Sequence, residues 1–413
     1  MKKLILVSLA ALIVAGGIFT LYNWTNIQRL RYALSLFSGA EQHQSFSAIA
    51  DIFPVSVVKA SGQPYQFTDD KKIDLPTDFR SRNKQYNTAD FLADTDTGAL
   101  LILKDGKVIH EHYALSGGRD VKWLSMSVAK SFVSLAIGIA IDEDLIKSIE
   151  EPVTQYVPNL AGSAYDGVRI KDILQMSSGA AWNETYSDSD SEVLRMGKIM
   201  AFGGSLDEFL RTIKQEREPG TFRKYNSADT QVLGALLVAA TGRSVTDYMQ
   251  EKIWQPLGME SDAYWIVDDF GMELAFAGLN ATARDYAKLG ELFRNNGNWN
   301  GKQIVSPQWV KSSVTPDAPH LMPVEGLQSI FDLGYGYQWW VFDGQQGEFS
   351  AIGVYNQFIY VNPTTNLVIV KLSANSEYGT KGDAEEANKE FATIDMLRAI
   401  SNSLNNNMAV VQQ

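Results

Sequence analysis

Ser125-Met126-Ser127-Val128-Ala129-Lys130-Ser131 opens the apolar run Phe132-Val133-Ser134-Leu135-Ala136-Ile137-Gly138-Ile139, around which the rest of the chain is organised. As a helix, it puts Ser127 and Lys130 one turn apart on one face, with the serine at the positive end of the helix dipole. A serine hydroxyl is a poor nucleophile unassisted. An amine held out of water loses its proton more readily, because burial disfavours the charged form, and the neutral lysine then accepts the serine proton. Ser-x-x-Lys alone is a weak pattern. Ser56-Val57-Val58-Lys59 and Ser81-Arg82-Asn83-Lys84 match it too, but in Pro-, Asp- and Lys-punctuated sequence with no long apolar helix behind them.

Upstream, the character changes at Gly98. Ala99-Leu100-Leu101-Ile102-Leu103 and Val108-Ile109-His110-Glu111-His112-Tyr113 read as strands, joined by Lys104-Asp105-Gly106-Lys107, whose Asp-Gly pair signals a two-residue hairpin. Downstream, from Ser127 to about Val314, the pattern predicts helices at 127–141, 171–176, 205–214, 230–240, 245–254 and 283–294, separated by turn signals such as Pro219-Gly220 and Asn295-Asn296-Gly297. Strands return at 337–342, 357–361 and 367–372, followed by an amphipathic helix near 384–404. The early hairpin must therefore join the late strands in one mainly antiparallel sheet. The block at about 127–314 becomes an inserted all-helical lobe, with Ser127 at the seam, where small-molecule clefts concentrate.

The 413 residues are 45% hydrophobic and 20% charged, an ordinary globular composition sufficient for one large or two medium domains. The net charge of −12 is dispersed apart from short clusters such as Asp142-Glu143-Asp144, which argues against a nucleic-acid partner. The absence of cysteine excludes disulfides, thiolate zinc sites and cysteine nucleophiles. His110 and His112 share one face of a strand while His43 and His320 are isolated, which fits a solvated strand face better than a metal site; no metal or organic cofactor is expected. Lys2-Lys3 precede an uncharged, mostly apolar run from Leu4 to Tyr22, long enough to cross a bilayer. Residues 1–22 thus read as a membrane anchor, or as a signal peptide cut near Gly17. Residues 23–90, with an amphipathic run at 27–34, read as spacer and wrapping, 91–404 as the main domain and 405–413 as a loose tail. The chain is expected to be exported to the periplasm, tethered to the inner membrane or secreted if cleaved.

Two later stretches single out Ser127. Tyr225-Asn226-Ser227-Ala228-Asp229-Thr230 follows Pro219-Gly220 and leads into an apolar helix; a phenol there relays a proton if a neighbouring ammonium lowers its pKa. Phe349-Ser350-Ala351-Ile352-Gly353-Val354-Tyr355 carries a glycine that lets a strand backbone approach a substrate and aim an N–H at it. In this order and spacing, and with Asp172-Ile173-Leu174-Gln175-Met176-Ser177-Ser178-Gly179 and Gly278-Leu279-Asn280-Ala281-Thr282-Ala283-Arg284-Asp285, the chain resembles the penicillin-recognising serine hydrolases: class C β-lactamases and the related carboxypeptidases and esterases. Within these it is most similar to the nylon-oligomer (6-aminohexanoate-dimer) hydrolase branch, over roughly Leu92 to Leu404.

The resemblance implies an α+β, β-lactamase/transpeptidase-like fold without a cofactor. It implies that Ser127 forms an acyl-enzyme with a small amide or ester, that Lys130 assists its deprotonation, and that Tyr225 shuttles the proton to the leaving group and later activates water. The backbone N–H groups of Ser127 and Val354 would hold the oxyanion. Tyr186, in Trp182-Asn183-Glu184-Thr185-Tyr186, falls where that branch has a tyrosine contacting the substrate amide; Ser227, Ile352 and Gly353 would also meet substrate. Two departures bear on specificity. Where β-lactamases have Lys-Thr-Gly this chain has Ala351-Ile352-Gly353, and where they have Tyr-x-Asn it has Tyr225-Asn226-Ser227. A lost charge-assisted hydrogen bond is worth roughly 1.5–3 kcal/mol, so β-lactamase activity is expected to be weak or absent. The alternatives are a carboxylesterase or D-amino-acid peptidase of the same fold, or a non-catalytic envelope-binding protein. The absence of a Gly-x-Ser-x-Gly elbow speaks against a Ser-His-Asp triad.

Overall fold

Thr97–Lys104 shows no polar–apolar alternation because it is covered on both faces: its first seven residues are all buried, as in a central strand. Asp105 and Gly106, at φ 50° and 74°, make the tight turn that the Asp-Gly pair predicts, and Lys107–Tyr113 returns alongside as an edge strand. The structure, a computed structural model, describes residues 41–323 and 333–411 together with scattered positions among the first forty.

The main sheet is antiparallel and has seven strands. Its order is Gly334–Tyr335, Trp340–Val341, Phe349–Gly353, Gln357–Asn362, Leu367–Ser373, Thr97–Lys104 and Lys107–Tyr113. The early hairpin joins the late strands through Leu367–Ser373, with Ile369 opposite Ile102. Side chains alternate between two cores. Leu100, Ile102, Phe358 and Tyr360 pack toward Leu397 and Ile400 of the C-terminal helix, Glu390–Val411. Leu101, Leu103, Ile359 and Val361 pack on the other face with Leu289 and Leu292 of the helix Ala283–Arg294, capped by Thr282.

The inserted lobe is not all helical. Ala263–Ile266 and Leu279–Ala281 form a four-stranded sheet with Val55–Val58 and Trp123–Leu124. Strands this short carry no readable period. They exist because Val55–Val58, from the stretch read as wrapping, pairs antiparallel with Ala263–Ile266. Helices at Thr88–Asp94, Glu192–Phe202 and Pro307–Ser313 were not expected from the pattern; the second carries Gly197 mid-run, which masks its periodicity. The strand expected at 337–342 contracts to Trp340–Val341, and the last helix continues past Leu404 to Val411 rather than ending in a loose tail. Both competing Ser-x-x-Lys matches fall away: Ser56 lies in a strand, and Ser81 and Lys84 face each other across a hairpin. No helix among the described residues is long and apolar enough to cross a membrane, and the expected anchor and the amphipathic run at 27–34 fall mostly outside those residues.

Candidate active site

The nucleophile turn is anchored from the lobe sheet. Trp123–Leu124 pairs with Leu279–Ala281, and the Ser125 N–H donates to the Leu279 carbonyl at 2.8 Å. Met126 is then held at φ 47°, a left-handed backbone that a side-chain-bearing residue adopts only where its surroundings enforce it. A 3₁₀ turn, Met126–Val128, runs directly into the helix Ala129–Asp142, whose first twelve residues are all buried. Ser127 therefore sits in the first turn of a core helix, with Lys130 one turn on, as the sequence predicts.

Lys130 Nζ lies 3.0 Å from Ser127 Oγ, 3.1 Å from Ser227 Oγ and 3.0 Å from the Phe276 carbonyl. Burial drives its pKa down to about 7, against the pull of the Glu184 and Asp229 carboxylates. Near neutrality a large fraction of the amine is thus unprotonated and within reach of the serine proton.

Tyr225 leaves an irregular segment just before the helix Ser227–Thr241, whose N-cap Asn226 accepts from the Ala228 N–H at 2.8 Å. Its ring stacks on Trp340 at 5.3 Å and 23°, and the Lys130 amine sits 5.2 Å from the ring centroid. The phenol also hydrogen-bonds with Ser127. The sequence makes a relay here conditional on a neighbouring ammonium lowering this pKa; burial instead holds it well above the ordinary tyrosine value, and the Ser127 hydrogen bond opposes that only in part. Tyr225 is a neutral phenol.

Ser227 does not face the substrate side, contrary to expectation. It is fully buried at the first position of its helix, with its hydroxyl between Lys130 and Glu184, donating to the latter at 2.6 Å. Glu184, which the sequence offers only as a neighbour of Tyr186, is a hub. It accepts from the Ser227 hydroxyl and N–H, from the Tyr186 hydroxyl at 3.1 Å and from the Trp182 indole. The chain Glu184–Ser227–Lys130–Ser127 is thus continuous. Asp229 lies behind it, pushed up to about 8 by burial while accepting from Ser178 at 2.6 Å and Tyr165 at 3.0 Å.

Gly353 ends the strand Phe349–Gly353 against the nucleophile turn. A Cβ there would lie 2.8 Å from the Ser125 carbonyl and 3.0 Å from Ser127 N, so only glycine allows this approach. Ser127, Tyr186, Tyr225, Ile352, Gly353 and Val354 line one cleft of about 820 Å³, counting the part open to solvent. Lys130 and Ser227 support it from behind. The sequence missed Trp340, Tyr378 and Glu390 on the same rim, the last two joined by a 2.7 Å hydrogen bond. Among the described residues no group of three or more His, Cys, Asp or Glu is placed to hold a metal.

Comparison with known proteins shows the family and the fold. The Beta-lactamase family model matches residues 87–393. The chain is 35% identical over 291 residues to the 6-aminohexanoate-dimer hydrolase of Paenarthrobacter ureafaciens, covering 68% of this chain and 74% of that one. It is 25% identical over 169 residues to a beta-lactamase of Yersinia enterocolitica, covering 39% and 40% of the two chains. A structure from Bacillus anthracis, assigned provisionally as a 6-aminohexanoate-dimer hydrolase, superposes with a TM-score of 0.80 over 90% of this chain and 96% of its own, at 24% identity.

Proposed function

The chain belongs to the Beta-lactamase family and is a serine hydrolase of that fold, and on this footing we propose that it cleaves a small amide or ester through an acyl-enzyme on Ser127. The observation that carries the proposal is the 3.0 Å contact between Ser127 Oγ and a Lys130 amine whose pKa burial has brought to about 7. Ser127 Oγ attacks the substrate carbonyl carbon as Lys130 takes its proton. The N–H groups of Ser127 and Val354 bind the oxyanion that forms. Collapse of the tetrahedral adduct breaks the bond to the leaving amine or alkoxide. That group takes the phenolic proton of Tyr225, which is replenished from the Lys130 ammonium. Water then enters, gives its proton to the same relay and adds to the acyl carbon; the acid leaves and Ser127 recovers its hydrogen.

Glu184 holds Ser227 and Tyr186 in place, and the high pKa of Tyr225 fits a relay that passes a proton without resting as a phenolate. β-Lactam turnover is proposed to be weak. Ile352 presents a branched hydrocarbon to the cleft, and the cation on its lining, Lys224, is engaged with Glu216 at 2.6 Å. The relative from Paenarthrobacter suggests short linear amides as substrates. The apolar run at residues 4–22 supports a reaction outside the inner membrane, with the enzyme tethered to it, or secreted if the chain is cut near Gly17. Turnover of p-nitrophenyl acetate and of 6-aminohexanoate dimer, lost in Ser127→Ala and far exceeding that of benzylpenicillin, tests the proposal. Penicillin hydrolysis at the rate of a dedicated β-lactamase would overturn the specificity part.

A further inference from the structure

Beside the catalytic cleft lies a second pocket, of about 750 Å³ including its mouth. Its lining carries no charged side chain, and its single polar side-chain atom is the Tyr186 hydroxyl, which is already engaged with Glu184 at 3.1 Å. Three lining residues belong to the catalytic apparatus. Met126 immediately precedes the nucleophile. Phe276 supplies the carbonyl that holds Lys130 and sets its ring 5.2 Å from the amine. Tyr186 lines both this pocket and the catalytic cleft, so the two adjoin at that residue.

We propose that this pocket is the acyl-chain subsite of the enzyme, taking the unbranched hydrocarbon tail of the acyl group bonded to Ser127, with Tyr186 as the threshold the tail crosses. The inference rests on the reading of Ser127 as nucleophile and deepens it by naming the substrate class: aliphatic acyl esters or amides. Protein interiors close-pack and leave few voids larger than water. A space that no described residue fills, without hydrogen-bonding groups of its own, suits a run of methylenes, and a polar chain end such as the ammonium of a 6-aminohexanoyl group must stay at its open mouth. The far side is bounded by the helix Glu192–Phe202, which presents Gly197 and Met200. Gly197 is exposed and a Cβ there would touch nothing within 4 Å, so the pocket stays open on this side at a mid-helix position where alanine would favour the helix. Two methionines, Met126 and Met200, give the lining a deformable surface suited to a flexible chain.

The test is a chain-length profile with p-nitrophenyl acetate, butyrate, hexanoate, octanoate and laurate. In the unmodified enzyme kcat/KM should rise about fourfold per added methylene until the pocket is full, and then fall. Gly197→Leu fills the space from a position remote from the reacting atoms. It should leave acetate turnover within about twofold while lowering octanoate turnover by about tenfold or more. Met200→Ala should move the optimum to a longer chain. Tyr186→Ala, whatever its effect on absolute rates, should raise the octanoate-to-acetate ratio. A flat profile with Ser127-dependent acetate turnover, or a profile that Gly197→Leu and Met200→Ala leave unchanged, overturns the subsite and leaves the serine hydrolase intact. Absence of Ser127-dependent turnover at every length overturns both.

Discussion

Adding one methyl group at Gly353 should disable the oxyanion site while leaving the nucleophile and its base untouched. A Cβ at this position meets the Ser125 carbonyl at 2.8 Å, Met126 Cβ at 3.0 Å and Ser127 N at 3.0 Å. Two of these three are backbone atoms of a turn pinned by the Ser125–Leu279 hydrogen bond, so the strand end must move and not the turn. That movement carries the Val354 N–H away from the position an oxyanion occupies. Loss of one such donor costs about 2.7–4 kcal/mol of transition-state stabilisation, or roughly 100- to 1,000-fold in kcat. Overpacking should cost about 1–3 kcal/mol of stability as well. The assay is steady-state ester hydrolysis by Gly353→Ala, with circular dichroism to verify folding. Gly62→Ala serves as the control, because a Cβ there has nothing within 4 Å. A folded Gly353→Ala enzyme with kcat within about threefold of the parent would refute the assignment of the oxyanion site to this strand.

The acid limb of kcat/KM should titrate near pH 7, because the amine that takes the serine proton is driven down to about 7 by burial and works only above that value. Lys130→Arg, charged at every accessible pH, should abolish turnover without a rescuing alkaline limb. Glu184→Gln removes a carboxylate that favours the protonated amine, so the limb should move to lower pH; movement to higher pH would contradict the Coulombic role of Glu184. Ile352→Thr restores a hydroxyl on the cleft wall. It should strengthen benzylpenicillin binding by roughly tenfold, as expected for about 1.5 kcal/mol of hydrogen bonding to a carboxylate, read as a fall in the inhibition constant.

The parts of this molecule that were legible in its sequence are those whose cause is local. The Asp105-Gly106 turn needs two left-handed residues, and Ala283–Arg294 has a polar cap, an apolar face and a turn behind it. The Ser127–Lys130 pair is set by helical pitch alone. What was not legible is imposed from a distance. Ala263–Ile266 is a strand because Val55–Val58 lies beside it, about two hundred residues away in sequence. Glu184 is a hub because Ser227, 43 residues later, presents both its N–H and its hydroxyl. Ser227 itself sits in a motif whose third residue was expected to face substrate, yet it is turned inward to couple that carboxylate to Lys130. The phenol of Tyr225 could be located from its motif, but the sign of its pKa shift depends on the enclosure by Trp340 and Tyr335, which belong to the far edge of the main sheet.

Activation of the Ser127 nucleophile by Lys130 is read out by intact-mass analysis after incubation with a fluorophosphonate. A single adduct is expected in the unmodified protein, none in Ser127→Ala, and labelling that slows as pH falls through about 7, where Lys130 becomes protonated. Unlabelled protein, or an adduct that persists in Ser127→Ala, would contradict that activation.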